Sequence, residues 1–113
     1  MATLSVRVTI GAAATKLSAG VSLGSTAGAS GSAAAIGRMS IRQALFSPAA
    51  HLFYIGNSDA DSTHGLPVAS SATNTNLLPT VIGPFSGDGP ANTDEIYISG
   101  TQNDVVQVLL VAQ

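Results

Sequence analysis

Charged residues are scarce in this sequence. Only 9% of its 113 residues are Asp, Glu, Lys or Arg, against roughly 25% in an ordinary soluble domain. Because charges normally keep a free monomer solvated, the surface must consist of small uncharged residues and of faces that other subunits cover. The composition therefore favours a subunit of an assembly.

Cysteine is absent, which excludes disulfides, thiolate nucleophiles and cysteine-based metal sites. The chain is therefore compatible with folding in a reducing cytoplasm. The four Lys and Arg residues are scattered and the net charge is −2, so no basic patch is available for a phosphate backbone or an anionic lipid. We expect neither nucleic acid nor a membrane as a partner.

Long hydrophobic runs are also missing. A membrane-spanning helix needs about 18 or more apolar residues in succession, whereas the longest apolar run, residues 105–112, is interrupted by Gln107. Residues 1–10 alternate polar and apolar side chains and carry Arg7 in their middle, unlike a signal peptide. We expect no membrane span and no Sec export.

Strand patterns are present along most of the chain. Leu4, Val6, Val8 and Ile10 alternate with polar residues, which predicts a strand with one buried face. A weaker alternation over residues 15–23, interrupted by glycine, predicts a short or bulged strand.

In the middle of the chain, strands at Arg38–Ala44 and Leu52–Ile55 are separated by a turn at Ser47-Pro48. This pattern predicts a hairpin. The polar stretch 59–76 predicts a long excursion with one short strand. Residues 77–85 contain apolar residues between Pro79 and Pro84. This pattern predicts an edge strand, because proline has no N–H to donate to the hydrogen-bond ladder of a central strand.

The C-terminal part contains two further strand patterns, Glu95–Ser99 and Asp104–Val111. Four turn-forming residues, Gly100–Asn103, join them, which predicts a second hairpin. Helical spacing of apolar residues is nowhere sustained. The sequence therefore predicts an all-β fold, an antiparallel β-sandwich or jelly roll with long loops and little or no helix, in one domain covering residues 1–113.

Residues 24–35 consist almost entirely of Gly, Ser, Ala and Thr. Such side chains bury little apolar area, which predicts a loop or arm; the alternative is a segment that lies flat against a neighbouring subunit. No residue of this stretch is charged. Ala27, Ala29 and Ala34 are therefore predicted subunit contacts.

Candidates for chemistry are few. The sequence Asp59-Ala60-Asp61-Ser62-Thr63-His64 could present oxygens to calcium, but His64 and Ser70 stand where an EF-hand loop has glycine and glutamate. Aspartates that hydrogen-bond their own turn are the favoured interpretation, and whether Asp59 and Asp61 bind a metal stays open. The sequence predicts no cofactor.

Catalytic constellations are not found either. His51 and His64 are the only histidines, and no serine lies in a G-x-S-x-G setting. Asp94 and Glu95 are adjacent and would face opposite ways in a strand, so they do not form an acid pair across a cleft. The glycine-rich stretch lacks the lysine of a phosphate-binding loop. We predict no catalytic residues and no enzymatic activity.

Tyr54 and Tyr97 lie in similar contexts, Phe53-Tyr54-Ile55-Gly56 and Ile96-Tyr97-Ile98-Ser99-Gly100. In strands, each tyrosine faces away from the apolar residues beside it. The two tyrosines are therefore predicted to mark a second packed surface, used in sheet packing or subunit contact, with carbohydrate stacking as the alternative.

Five stretches of the sequence together resemble a pattern in small virion proteins of tailed bacteriophages. An arginine-containing strand precedes a "tyrosine, apolar, glycine" strand, a Gly-Leu-Pro-type turn leads towards another strand, and the last hairpin carries a second tyrosine strand. The resemblance covers about residues 36–113, and the stretches are Arg38–Gln43, Leu52–Ser58, Gly65–Pro67, Asp94–Ile98 and Val105–Val111.

The resemblance implies a non-enzymatic capsid decoration or cement protein that stabilises the head shell through subunit contacts. Its expected partners are the major capsid protein and copies of itself, as a dimer or trimer. Its expected location is the capsid surface of the virion, after synthesis in the host cytoplasm. The alternative is a tail, fibre or spike component with receptor- or glycan-facing loops. A small hydrolase or lectin-like module is a third and less favoured class.

Overall fold

Two antiparallel sheets pack against each other, so the predicted all-β sandwich is confirmed. The computed structural model describes residues 3–22, 35–72, 78–85 and 91–112. Within these ranges the strands are β1 (Thr3–Thr9), β2 (Thr15–Lys16), β3 (Val21–Ser22), β4 (Ser40–Phe46), β5 (Phe53–Gly56), β6 (Leu66–Val68), β7 (Thr80–Ile82), β8 (Ala91–Asn92), β9 (Tyr97–Gly100) and β10 (Val105–Ala112).

Sheet I has the order β3-β1-β10-β4-β7, and β8 also pairs with β4. Its centre is the pairing of β1 with β10, which runs in register from Thr3 opposite Val111 to Thr9 opposite Val105. The alternation of the first strand is confirmed, because Val6 and Val8 are buried while their polar neighbours are exposed. β7 lies at the edge of the sheet, as the flanking prolines predicted.

Sheet II has the order β2-β9-β5-β6. Its last strand, β6, is the short strand predicted within the polar excursion after β5, and it pairs with β5 from Phe53 opposite Val68 to Ile55 opposite Leu66. Sheet II is thus built largely from two-to-four-residue strands. The long strands all belong to sheet I.

Both predicted hairpins are wrong. β4 pairs with strands of sheet I, whereas β5 pairs with β9 and β6 in sheet II. Likewise β9 lies in sheet II and β10 in sheet I. The connection before β10 instead hydrogen-bonds the end of β1: the Asn103 N–H donates to the Ile10 carbonyl, and the Ile10 N–H donates to the Asp104 carbonyl. The turn-forming residues reverse the chain, but they carry it from one sheet to the other.

The strand predicted over residues 15–23 is divided in the same way. β2 belongs to sheet II, a 3₁₀ turn at Leu17–Ala19 follows, and β3 belongs to sheet I. Gly20 lies where the chain crosses, and a Cβ atom there would stand 2.5 Å from Val6 Cγ1 and 2.8 Å from Val8 Cγ2. Glycine is thus required for close approach to β1.

The core lies between the sheets. Phe46 of sheet I and Phe53 of sheet II are fully buried, and their ring centroids are 6.4 Å apart. Tilted aromatic pairs at this separation attract each other beyond their apolar burial. Other large side chains that are almost completely buried are Val6, Val8, Ile10, Leu17, Ile41, Ile98, Val106 and Leu110.

Of the predicted small-residue arm, only Ala35 lies among the described residues. It forms an isolated antiparallel bridge with Val21. Ile36 N–H then donates to the Gly20 carbonyl at 2.8 Å, and Gly37 N–H donates to the Ser18 carbonyl at 3.0 Å. These contacts place residues 35–37 beside the crossing between β2 and β3.

Candidate functional site

Tyr54 and Tyr97 lie on the same outer face of sheet II. Tyr54 is opposite Ser99, and Tyr97 is opposite Gly56, so the tyrosines are diagonal neighbours on adjacent strands. Both are half-buried, whereas the apolar residues beside them face the core. The prediction that the tyrosines face away from those residues is confirmed.

The tyrosine face also carries one ion pair. Lys16 of β2 lies opposite Tyr97, and its Nζ is 3.9 Å from Asp94 Oδ1. Pro67 of β6 lies opposite Tyr54 on the other side. Phenol rings on such a face can pack against an apolar surface or a sugar ring, while their hydroxyls hydrogen-bond at the margin.

The other predicted contact residues are Ala27, Ala29 and Ala34. All three lie outside the described residues. Their role in subunit contact stays a prediction from the sequence.

A second surface, which the sequence analysis missed, lies on the outer face of sheet I. Ser5, Leu109, Leu45 and Val81 stand opposite one another in one row across β1, β10, β4 and β7. Leu109 is 37% exposed and Val81 is 45% exposed. We call this set the apolar row. It borders a shallow depression of about 280 Å³, whose lining includes Ser5, Leu45, Ser47, Pro79, Gln107 and Leu109.

The signal for the apolar row was present in β10. This strand has buried Val106, Val108 and Leu110 on one face, and it carries Val105 and Leu109 on the other. A strand that is apolar on both faces is typical of one that is covered on both faces. Cross-strand register was the missing information, because only register aligns Leu109 with Leu45 and Val81.

The aspartate-rich loop forms a local hydrogen-bond cluster. The Thr63 backbone N–H donates to Asp61 Oδ1 at 2.8 Å, the Thr63 hydroxyl donates to it at 2.9 Å, and His64 Nδ1 is also 2.9 Å from it. The backbone hydrogen bond, with smaller contributions from the two side chains, lowers the pKa of Asp61 to about 2. The interpretation of an aspartate that bonds its own turn is confirmed for Asp61.

His64 is stabilised in its charged form by the same loop. Its hydrogen bond to Asp61, and then the charges of Asp61 and Asp59, raise the pKa of His64 above its usual 6.5. Within the described ranges, no group of three or more His, Asp or Glu side chains could hold a metal ion. Asp59 is exposed.

The remaining candidates for chemistry form local structural contacts. His51 Nδ1 lies 2.8 Å from Asp104 Oδ2 and joins the loop before β5 to the loop before β10. Asp94 and Glu95 lie in a turn before β9 rather than in the strand predicted from residue 95. The backbone N–H and side-chain amide of Asn92 both donate to Glu95 Oε1.

No helix in the described part of the chain is long and apolar enough to cross a membrane. The only helical element there is the three-residue turn at Leu17–Ala19.

Comparison of the chain with protein-family models, with curated proteins and with solved structures gives no match.

Proposed function

We propose that the chain is a non-enzymatic structural protein of a tailed-bacteriophage virion, which decorates the head and reinforces contacts between shell subunits. It would act with the major capsid protein and with further copies of itself, as a homo-oligomer on the capsid surface. The mechanism is adhesion, since each copy would bury part of its surface against its neighbours.

The outer face of sheet I is the observation that carries this proposal. The apolar row places exposed Leu109 and Val81 on either side of Leu45, from the centre of the larger sheet to its β7 edge. Contiguous exposed apolar surface on a soluble domain typically marks an interaction site. An adhesive function needs such a surface and needs no reactive group.

The charge distribution supports the same function. The described carboxylates belong to loops and turns, and the strands of both sheets contain none; they are Asp59, Asp61, Asp94, Glu95 and Asp104. Contact between sheet faces therefore buries no strand carboxylate, and the charges that the described strands do carry are three cations, Arg7, Lys16 and Arg42. Few charges then have to be desolvated, which is costly when a charge is left unpaired.

Edge strands offer a second kind of contact. β7 ends sheet I on one side, and β2 and β6 end sheet II, so their outer main-chain groups are placed to pair with neighbours. β3, at the other end of sheet I, is already bridged by Ala35 through Val21. Apolar burial contributes roughly 25 cal/mol per Å², and repetition over a symmetric shell compensates for modest affinity at each site. The resemblance to phage virion proteins spans the residues that form β4 to β10.

Binding to phage heads tests the proposal. The purified chain is weighed by light scattering to obtain its oligomeric state, then added to heads that were assembled without it and imaged by cryo-electron microscopy. Saturable density at symmetry-related positions is expected. Heads that already carry the chain are the control and should take up no more. Absence of any binding to the depleted heads would refute a decoration function.

The tyrosine face favours a second candidate, a tail, fibre or spike component. Half-buried Tyr54 and Tyr97 are diagonal neighbours, and such rings can stack on sugars as well as on protein. A glycan array probed with the wild type and with Tyr54→Ser/Tyr97→Ser distinguishes the candidates. Glycan binding that the double variant loses, together with indifference to heads, would favour the spike over the decoration protein.

A further inference from the structure

We infer that the outer face of sheet I docks on a protein surface that has an apolar centre and carboxylates at its margin, and that this surface belongs to the shell subunit rather than to a second copy of the chain. The inference rests on the proposed function and identifies the partner of the apolar row.

Two arginines flank the apolar row on opposite sides, measured along the strand direction. Arg7 is exposed on β1, two residues from Ser5, and alternates with buried Val6 and Val8. Arg42 is exposed on β4, where the register with β10 shifts. From strand spacing and rise, the two residues are roughly 18 Å apart. Among the described residues, neither arginine forms an ion pair, and no strand of sheet I contains a carboxylate.

Charge makes a second copy a poor occupant of this face. Two copies of the face in contact would set arginines against a face whose described strands carry no carboxylate, and like charges across an interface are unfavourable. Three of the five acids in the described ranges already face a basic side chain: Asp61 faces His64, Asp104 faces His51, and Asp94 faces Lys16. A partner that supplies free carboxylates fits the face better.

Size leads to the same conclusion. The row spans four strands at about 4.8 Å spacing, and the stretch from Gln107 to Val111 rises about 3.4 Å per residue, so the face measures roughly 19 by 17 Å in projection. Two such faces together give roughly 650 Å² of projected area, which is small beside the roughly 1,600 Å² of accessible surface that a standard specific interface buries. A lone dimer through this face would be weak, whereas an oligomer that presents the face repeatedly to a lattice gains avidity.

Matched variants test the inference on heads assembled without the chain. Leu109→Gln should weaken binding at least about tenfold, since it places a polar amide at the centre of the face. Leu66→Gln is the control, because Leu66 is a similarly exposed strand leucine, 48% against 37%, on sheet II. Circular dichroism melting checks that each variant folds, and Val81→Thr, which keeps the branched shape, replaces Leu109→Gln if that variant does not fold.

The charge part has its own pair of variants. Arg7→Gln/Arg42→Gln should weaken binding at least about fivefold at low salt. It should also flatten the salt dependence of binding, because less attraction between the arginines and the partner's carboxylates is left for salt to screen. Arg38→Gln, an exposed arginine outside the strands of sheet I, should change neither.

The outcomes separate the inference from the proposed function. Binding to heads that is weakened by the Leu109 and arginine variants, but not by the Leu66 and Arg38 controls, supports the inference. Undiminished binding by these variants overturns it and leaves a decoration function standing. Failure of the wild type to bind heads refutes both. A stable oligomer that Leu109→Gln dissociates overturns the inference, because the face then binds a second copy.

Discussion

The Thr93 hydroxyl donates a 2.7 Å hydrogen bond to the Gly37 carbonyl oxygen, although the two residues are 56 positions apart in the chain. Thr93 is fully buried, and its oxygen also accepts from the Met39 N–H at 3.0 Å. The Thr93 backbone adds hydrogen bonds to Met39 and Ser18. This residue therefore fastens the segment before β4 to both the turn before β9 and the crossing between β2 and β3.

We expect Thr93→Val to lower the free energy of unfolding by about 2–4 kcal/mol. Valine has nearly the same shape, so the loss comes from the half-buried Gly37 carbonyl and Met39 N–H, which lose the Thr93 hydroxyl as their partner. Urea unfolding measures the change. Thr9→Val on the exposed face of β1 is the control and should stay within about 0.5 kcal/mol of the wild type. Equal effects of the two changes would contradict the role of the hydroxyl.

Gly20→Ala should destabilise the fold by about 2 kcal/mol or more, because the added methyl overlaps Val6 and Val8. The backbone of Gly20, with φ −70° and ψ 163°, is open to alanine, so the cost is steric. Val6→Ala removes one of the overlapping methyls. The double variant should therefore lose less stability than the sum of the losses of the two single variants. Additive losses in urea unfolding would show that the overlap is not the cause.

Asp61→Asn should lower the pKa of His64 towards 6.5, because it removes the charge of Asp61 and leaves a neutral amide oxygen in place of the charged acceptor. Asp59→Asn removes only a charge and should lower it less. Proton NMR of the His64 imidazole ring, recorded against pH in each variant, measures the two changes in its pKa. If Asp61→Asn leaves the titration of His64 unchanged, the contact between the two side chains does not persist in solution.

The same pair sets the direction of a pH dependence. The contribution of Asp61 to stability is present above its unfolded pKa of 3.8 and is lost as pH falls towards about 2. The contribution of charged His64 is present below pH 6.5 and is lost as pH rises through its raised folded pKa. Both groups are exposed, so the changes are small, and Asp61→Asn should remove both in unfolding measured across pH.

Lysine at Ala27, Ala29 and Ala34 should impair assembly more than folding, as their uncharged surroundings in the sequence predict. The control places three lysines at exposed alanines of the described structure, Ala13, Ala50 and Ala69, so that net charge is matched. Oligomeric mass and head binding measure assembly, and circular dichroism measures folding. Assembly that survives the first triple change as well as the control would mean that low charge is only a property of the free surface.

The sequence predicted strands better than it predicted their pairing. β1 was found from alternation, because its buried valines and exposed polar residues give a clean period of two. The connection Gly100–Asn103 has the length of a hairpin loop, yet β9 and β10 diverge into different sheets. Turn propensity is local, whereas the choice of sheet depends on which faces remain uncovered after the whole chain has folded.

The same distinction applies to the candidate surfaces. The outward direction of Tyr54 and Tyr97 follows from local alternation, and it was predicted correctly. The alignment of Leu109 with Leu45 and Val81 follows from register between strands that are distant in sequence. No pattern within one strand contains that information.

The pairing of β1 with β10 has a kinetic consequence. Thr3 lies opposite Val111, so the central ladder of sheet I joins residues separated by most of the chain. Such a contact closes a very long loop before it gains any stability, and β-sandwiches dominated by distant contacts fold in about milliseconds to seconds. During synthesis, β1 cannot form this pairing until β10 has left the ribosome. Until that moment, the edge of β1 that β10 will cover is open to pairing with other nascent chains.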